Sequence, residues 1–526
     1  MAAAPSQGSA PPQQYTAVSS NKWLIAVAVM LATIMEVLDT TIANVALLHI
    51  RGSLSAGVDE AAWVVTSYIV ANAIVIPLTG WFGTYFGRKR YFLFSILLFV
   101  ASSLCAGAAP NLQILIVCRI LQGFGGGAMM PLSQAILMET FPPEEQAVAM
   151  SVWGLGMMLG PVMGPLLGGW ITDNYSWRWI FYVNAPVGTI AALMVAAFVH
   201  DPSYLRRKIK SIDWWGLCYL SVGVASLQIM LDKGERLDWF GSHLILELTV
   251  IAVIGLTLFV VRELTTAEPV VDLRVLNNRT FAVGTIFTTI IMFAMYGTYI
   301  LIPLYCQQIA GYTPLMAGMV LSIQSFATFA SIVLAGRLFN RFDPRVMVAI
   351  GCLMGGYGSW DMAHFYTGID FWNIAIPGIF RGVGSGFIFI PITTISLGAV
   401  KKEEMGTASG LFNMVRTIGG SIGIAILIAM LSTNAQIHQS YLSARLDTFR
   451  FSIWSHTNPG ASGMLDDLSR HGMTPMMGMV YQEMQRQAAV MSFLDDFRLI
   501  AYIFFVLTPL AFMMRRPGSA VKAAAH

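Results

Sequence analysis

Apolar residues in this chain do not alternate with polar ones; they fill long runs broken by short polar stretches. A helix that crosses a bilayer needs roughly 20 mostly apolar residues, and fourteen runs come near or exceed that length. Six lie near residues 23–47, 61–82, 91–108, 112–138, 147–171 and 179–199. Two more lie near 214–231 and 243–261, and the last six near 281–303, 314–336, 346–365, 372–397, 405–432 and 499–514. The pattern predicts an all-α polytopic membrane protein with fourteen transmembrane helices.

The polar breaks orient these runs, because Lys and Arg gather in cytoplasmic loops. With the N-terminus inside, every second loop should be basic. The loops after runs 2, 6, 8, 10 and 12 carry Arg88–Lys89–Arg90, then Arg206, Arg207, Lys208 and Lys210, then Arg262, Arg274 and Arg279, then Arg337, Arg341 and Arg345, then Lys401 and Lys402. Arg515, Arg516 and Lys522 follow the last run, whereas the short loops on the opposite side hold only Arg51, Arg178, Lys233 and Arg236. A miscount by one run would scramble this alternation, so both termini are expected in the cytoplasm.

Composition agrees. Hydrophobic residues make up 56% and charged ones 11%, against about 25% charged in an average soluble domain. A net charge of +3 is too small to argue for a nucleic-acid partner. Cys105, Cys118, Cys218, Cys306 and Cys352 stand singly in apolar runs, which supports neither a zinc site nor a disulfide framework. Residues 1–21 have no apolar core and read as a disordered cytoplasmic tail rather than a signal peptide.

The chain also repeats itself. Run 2 ends in Gly80-Trp-Phe-Gly-Thr-Tyr-Phe-Gly-Arg-Lys-Arg90 and run 10 in Gly336-Arg-Leu-Phe-Asn-Arg-Phe-Asp-Pro-Arg345. Run 4 carries Arg119 before a glycine-rich stretch and run 12 carries Arg381 before another, at nearly the same offset, 256 against 262 residues. Residues 22–200 then form an N-terminal six-helix bundle, 201–265 an inserted helix pair, and 266–515 a C-terminal six-helix bundle, with a tail at 516–526. Six-helix halves that repeat are the plan of transporters with a midplane site. One outer loop, 433–497, is long and polar. Within it Met477, Val480, Met484, Ala488 and Met491 recur at helical spacing, an apolar stripe suited either to a partner groove or to the membrane or transporter surface.

Four segments together resemble the fourteen-span drug:proton antiporter family of the major facilitator superfamily, the EmrB/QacA type. They are Leu38-Asp-Thr-Thr-Ile-Ala-Asn-Val-Ala46, the glycine–proline segment Gly154–Gly169, Trp177-Arg-Trp-Ile-Phe-Tyr-Val-Asn-Ala-Pro-Val-Gly188, and Leu231-Asp-Lys-Gly-Glu-Arg-Leu-Asp-Trp-Phe240. The chain most resembles the EmrB-like inner-membrane pumps of tripartite systems. The resemblance implies a major facilitator fold in a bacterial inner membrane and antiport of small hydrophobic or weakly acidic compounds. The proton gradient would drive it without a cofactor, and a periplasmic membrane-fusion adaptor and an outer-membrane channel would be its partners. It further implies that Arg119 serves proton coupling and that the fifth helix packs across the two halves and limits proton leakage. Gly80, Gly87 and Arg88, with Arg337, Arg341 and Asp343 in the repeat, would gate the cytoplasmic side. Thr84 departs from the family, which usually has an acidic residue there, and this puts the usual charge lock of that loop in doubt.

Charges inside a membrane cost at least about 2.5 kcal/mol each and mark function by default. Glu36 and Asp39 share one face of run 1, with Thr40 and Asn44 extending a polar strip. Two close carboxylates in a low-dielectric cleft cannot easily both ionise, and a carboxylate that exchanges its proton near neutral pH is what proton coupling requires; the alternative is a pairing for packing alone. Arg119 stays charged at any accessible pH and either tunes a carboxylate or serves as a hydrogen-bonding hub. Gly156, Gly160, Gly164 and Gly168, with Pro161 and Pro165, give run 5 a smooth face and bends. Asn413 and Arg416 share a face of run 13; together with Arg381 and Asn44 they are candidates to line the cargo cavity, Arg416 either binding anionic cargo or satisfying backbone carbonyls. No nucleophile–base set or paired metal ligands support an enzyme. An exporter is favoured over an importer or symporter of the same fold by the run 5 motif. Export of one specific metabolite, weak acid or siderophore remains the alternative to broad drug export.

Overall fold

The computed structural model describes residues 22–201, 213–266, 268–445 and 473–513, save for the side chains at 48, 58, 59, 161, 165, 314 and 473–480. The expected tails, the basic cluster from Arg206 to Lys210, the trio Arg515, Arg516 and Lys522, and the middle of the long outer loop lie outside the described residues. So do the side chains of Pro161, Pro165, Met477 and Val480. Among the described residues the fold is all helical. It comprises α1 (Lys22–Ser53), α2 (Val58–Phe86), α3 (Arg88–Gly107), α4 (Leu112–Gly126), α5 (Met129–Thr140), α6 (Gln146–Asn174), α7 (Trp179–Tyr182) and α8 (Asn184–Phe198). The inserted pair is α9 (Trp214–Lys233) and α10 (His243–Thr265). The second half has α11 (Arg279–Gln308), α12 (Pro314–Leu338), α13 (Pro344–Met362), α14 (Phe371–Gly398), α15 (Met405–Arg445) and α16 (Met473–Leu510).

Twelve helical segments among the described residues are long and apolar enough to cross a membrane. Helices α13 and α16 lie at the two remaining apolar runs. Local chemistry sets the ends. Asn111, Asp213, Asn278, Thr313 and Asp343 each accept a backbone N–H at a helix start, which satisfies an otherwise orphaned donor. Pro314 and Pro344 take the first position, where no N–H is needed. Gly87 divides α2 from α3 at φ 88°, a conformation that side chains resist. Run 4 is broken between α4 and α5 at its glycine-rich stretch.

The two halves pack by one plan. In the first, α1 lies on α6 and α8, α2 and α3 on α4, and α3 on α8. In the second, α11 lies on α15 and α16, α12 and α13 on α14, and α13 on α16. The halves meet chiefly where α2 and α5 pack on α15 and where α6 packs on α12 and α14, and α9 of the inserted pair packs against both α2 and α15. Large apolar side chains such as Phe94, Leu97, Leu193, Val253, Ile254 and Phe326 are exposed on the outer faces, as a lipid-facing surface requires.

Helix runs into the long outer loop from both sides, as the helical spacing of its apolar stripe predicts. α15 continues to Arg445 and α16 begins at Met473, so both flanks are helical. The apolar stripe does not stand free: Met484 and Ala488 are buried against the protein, and only Met491 of the described trio is exposed. Ser492 donates to the Leu431 carbonyl at 2.5 Å, His438 pairs with Asp495 at 2.7 Å, and the Arg486 guanidinium donates to the Ile309 carbonyl at 2.9 Å.

Candidate functional site

Asp39 and Arg119 form the buried centre of the first half. The Arg119 guanidinium donates to Asp39 Oδ2 at 2.6 Å, to Gln122 Oε1 at 2.7 Å and, through Nε, to the Val64 carbonyl at 2.9 Å. Asp39 Oδ1 accepts from Gln122 Nε2 at 2.8 Å and from Asn184 Nδ2 at 2.7 Å. Both charges are thus paired and further hydrogen-bonded, the condition under which a buried ion pair is tolerated. Tyr68 lies under the guanidinium, 4.3 Å from ring centroid to Cζ. The partners come from α1, α2, α4 and α8, so the pair ties four helices together.

Glu36, one helical turn from Asp39, is buried but poorly satisfied. Its Oε1 accepts from Asn72 Nδ2 at 3.1 Å, and Asn72 in turn reaches the Tyr68 hydroxyl at 3.4 Å. Oε2 makes no hydrogen bond of normal geometry, and the Met130 backbone amide lies close enough to interact with the carboxyl. A polar chain therefore runs from Glu36 through Asn72 and Tyr68 to the Asp39–Arg119 pair. Asn44 is exposed and turns back to the Thr40 carbonyl at 3.1 Å, apart from this chain.

Arg416 of α15 faces a different environment. It is buried, and its acceptors are two thioethers: Met130 Sδ at 3.3 Å and Met157 Sδ at 3.8 Å. Trp153 and Phe389 stack parallel across the two halves, 6.0 Å between centroids, and the Arg416 guanidinium lies 5.7 and 5.9 Å from their rings. Among the described residues no carboxylate lies within ion-pair distance, though Glu36 is close enough to interact electrostatically. One turn away, Asn413 donates to Gln134 Oε1 of α5 at 2.5 Å and to the Ser409 carbonyl at 2.8 Å. Arg381 is not part of this cleft. It lies inside the second half, donating to Ser359 at 2.5 Å with Phe504 beneath it.

The glycines of α6 have a specific neighbour. A Cβ at Gly160, Gly164 or Gly168 would collide with or crowd Val37, Thr41 or Ile42 of α1, and one at Gly156 would crowd Met30 and Ile34. The stripe thus seats α6 on the α1 segment that carries Asp39, within the first half. A different face of α6 makes the contact with the other half: Gly336 of α12 abuts Ser151, and Gly154 faces Ile332 and Ile390.

The basic end of the bundle is drawn together. A Cβ at Gly80 would come within 2.5 Å of the Thr407 backbone, so α2 and α15 touch there nearly backbone to backbone. Arg88 pairs with Glu139 at the end of α5 and reaches the Lys402 carbonyl at 3.5 Å. Glu139 thereby supplies a carboxylate to the loop that Thr84 does not; Thr84 caps back on Gly80. Gly87 sits against Asp201, which accepts from the Lys89 amide at 2.8 Å. On the second seam Asn340 donates to the Glu144 carbonyl at 2.6 Å. Arg337 and Arg341 are exposed, and Asp343 caps α13.

Sequence reasoning missed Gln122, Asn184, Asn72, Tyr68, Glu139 and the Met130–Met157–Trp153–Phe389 lining. Gln122 had a signal, since it lies one turn from Arg119 on the same face, and Asn184 stands inside one of the family-like segments. The thioether and aromatic lining had none, being ordinary apolar residues until folding places them around a charge.

Comparison with known proteins agrees with this architecture. The Major Facilitator Superfamily model matches residues 29–424. The multidrug export protein EmrB of Escherichia coli is 35% identical over 500 residues, 94% of this chain and 96% of that protein. The fatty acid resistance protein FarB of Neisseria gonorrhoeae is 34% identical over 489 residues, 93% and 95% of the two chains. Among solved structures, the human organic anion transporter MFSD10 superposes with a TM-score of 0.59 over 92% of this chain and 99% of that one at 12% identity, a likeness of fold alone. On matches that run nearly end to end, the chain belongs to the Major Facilitator Superfamily and groups there with the EmrB multidrug export proteins.

Proposed function

We propose that this protein is a multidrug efflux transporter of the bacterial inner membrane that exchanges protons for small hydrophobic and weakly acidic compounds by alternating access. The observation that carries the proton half is the buried Asp39–Arg119 pair with Glu36 one turn away. A proton arriving on Asp39 cancels the charge that Arg119 answers. Arg119 keeps the Val64 carbonyl and Gln122, while Asn184 and Gln122 lose the anion they both donate to. The α1 segment is seated against the α6 glycines, and α6 meets the second half at α12. A change at Asp39 therefore has a packed route to the seam between halves. Opening the basic end, which the loop charges place in the cytoplasm, would part Gly80 from Thr407, Gly336 from Ser151, and Arg88 from Lys402.

Arg416 bears on the cargo. A guanidinium held by sulfurs and aromatic faces is electrostatically underserved, and a carboxylate with an apolar body would complement both the charge and the lining. The names of the relatives, one a multidrug exporter and one a fatty acid resistance protein, are consistent with such amphiphiles. As in EmrB-like pumps, we place a periplasmic adaptor at the outer helical extensions of α15 and α16.

Everted vesicles test the reading. An exporter coupled to protons accumulates an acidic hydrophobic dye when the vesicle interior is made acid, and loses it on addition of an uncoupler. Accumulation that ignores the proton gradient, or that runs the other way, would refute antiport.

A further inference from the structure

The repeat places Arg381 of α14 where the first half has Arg119, yet the second half gives its arginine no carboxylate within ion-pair distance among the described residues. α11, the counterpart of α1, instead brings Tyr299 into electrostatic contact with Arg381, and Gln324 of α12 lies beside that tyrosine. Three buried polar atoms here lack a hydrogen bond of normal geometry: Arg381 Nε, the Tyr299 hydroxyl and Gln324 Oε1; the tyrosine lies within electrostatic reach of Arg381 and close to Gln324 and Thr328. A buried charge is retained in such surroundings when something of opposite sign compensates it.

We propose that Arg381, Tyr299 and Gln324 form a binding site for a small monovalent anion of the chloride class inside the second half. Arg381 offers its Nε–H and Tyr299 its O–H. The Gln324 amide, whose two ends exchange by a simple rotation, offers an N–H. Three donors around one charge suit an anion; a water molecule would leave the guanidinium uncompensated. The walls restrict size. A Cβ at Gly358 would lie 2.8 Å from Arg381 Cγ, one at Gly382 would collide with the Gln324 backbone carbonyl, and one at Gly378 would lie 3.5 Å from the Gln324 side chain. Helices this close favour a small anion over sulfate or an organic acid. The site differs from Arg416, which lies in the cleft between halves with Met130 and Met157.

The test uses the full-length protein in lipid nanodiscs, titrated with sodium chloride, bromide, sulfate or gluconate at matched ionic strength, with the unfolding midpoint as readout. Chloride and bromide should raise the midpoint in a saturable way, and sulfate and gluconate should not. Arg381→Gln should abolish the halide dependence, Tyr299→Phe should shift it to higher halide concentration, and Arg416→Gln should leave it intact. Crystals grown in bromide should show an anomalous peak beside Arg381 Nε. Equal midpoints in all four salts, no bromide peak there, or halide dependence lost with Arg416 but kept without Arg381 would each overturn the site. If Arg381→Gln fails to fold, Tyr299→Phe and the bromide peak in the unaltered protein decide.

Discussion

The two halves pack alike and handle charge differently. In the first half, Asp39 and Arg119 neutralise each other, and Gln122, Asn184 and the Val64 carbonyl hydrogen-bond to them as well. In the second, Arg381 and Arg416 are equally buried but have no carboxylate at ion-pair distance among the described residues. The halves thus share a packing plan but not a charge plan: one closes its buried charges into a pair, and the other leaves its arginines without a carboxylate partner among the described residues.

The largest break in this comparison comes from removing the closed pair. Asp39→Asn should reduce proton-driven efflux in everted vesicles to background while the protein still inserts. Arg119→Ala should do the same, and Arg119→Lys should retain a fraction, since an ammonium cannot reproduce a guanidinium that serves Asp39, Gln122 and Val64 at once. Near-normal flux in Asp39→Asn would remove this pair from the coupling.

Next in size is the seating of α6. Gly164→Leu puts a side chain where even a Cβ meets Thr41 Oγ1. Overpacking of this kind costs about 1–3 kcal/mol, and here the strain falls on the α1 segment bearing Asp39. Transport should stop, or proton entry should proceed without cargo, as read by a pH-sensitive dye in proteoliposomes. Tight coupling with normal flux would show that the stripe is only a packing surface.

A smaller, selective effect is expected from Arg416→Gln. A hydrogen bond to a charged group contributes about 1.5–3 kcal/mol, so apparent affinity for an acidic hydrophobic cargo should fall about tenfold or more. A neutral cargo should be little affected. Equal losses for both would mean that Arg416 acts on the fold rather than on the cargo.

Much of this was legible beforehand because it rests on period and charge. Long apolar runs give helices, the Gly80 and Gly336 segments give the repeat, and an acid or arginine in an apolar run is conspicuous. The neighbours of those residues were not legible. Nothing local tells that Met130 and Met157 will be the acceptors of Arg416, or that Glu139 will answer Arg88 where Thr84 does not, since those pairings depend on how distant helices cross. The α6 glycines were readable as a close-packing face, but which helix they receive was set by tertiary packing; they seat α1, while other residues of α6 meet α12. In the outer loop the helical spacing reappears in α16, but whether the stripe met a partner or the transporter itself was open from sequence; Met484 and Ala488 are buried within the chain.

That burial reshapes the smallest expected effect, the one on an adaptor. With Met484 and Ala488 buried, a charge at either would disturb the transporter itself and would report nothing about docking. The surface left for a partner lies elsewhere on the same two helices: Ile437 and Tyr441 on α15 are 44% and 65% exposed, and Tyr481 on α16 is 50% exposed. Tyr481 also accepts from Gln439 at 3.0 Å, which holds the two helices side by side there. Exposed aromatic residues on a rigid pair of helices are suitable anchors for a protein partner. Replacing Ile437, Tyr441 and Tyr481 together with Asp should reduce recovery of the adaptor in pull-downs and lower drug resistance in whole cells, while cargo uptake by everted vesicles stays normal. The vesicle measurement separates lost docking from lost folding. Adaptor recovery at wild-type yield, with vesicle transport intact, would place the docking surface away from these helices.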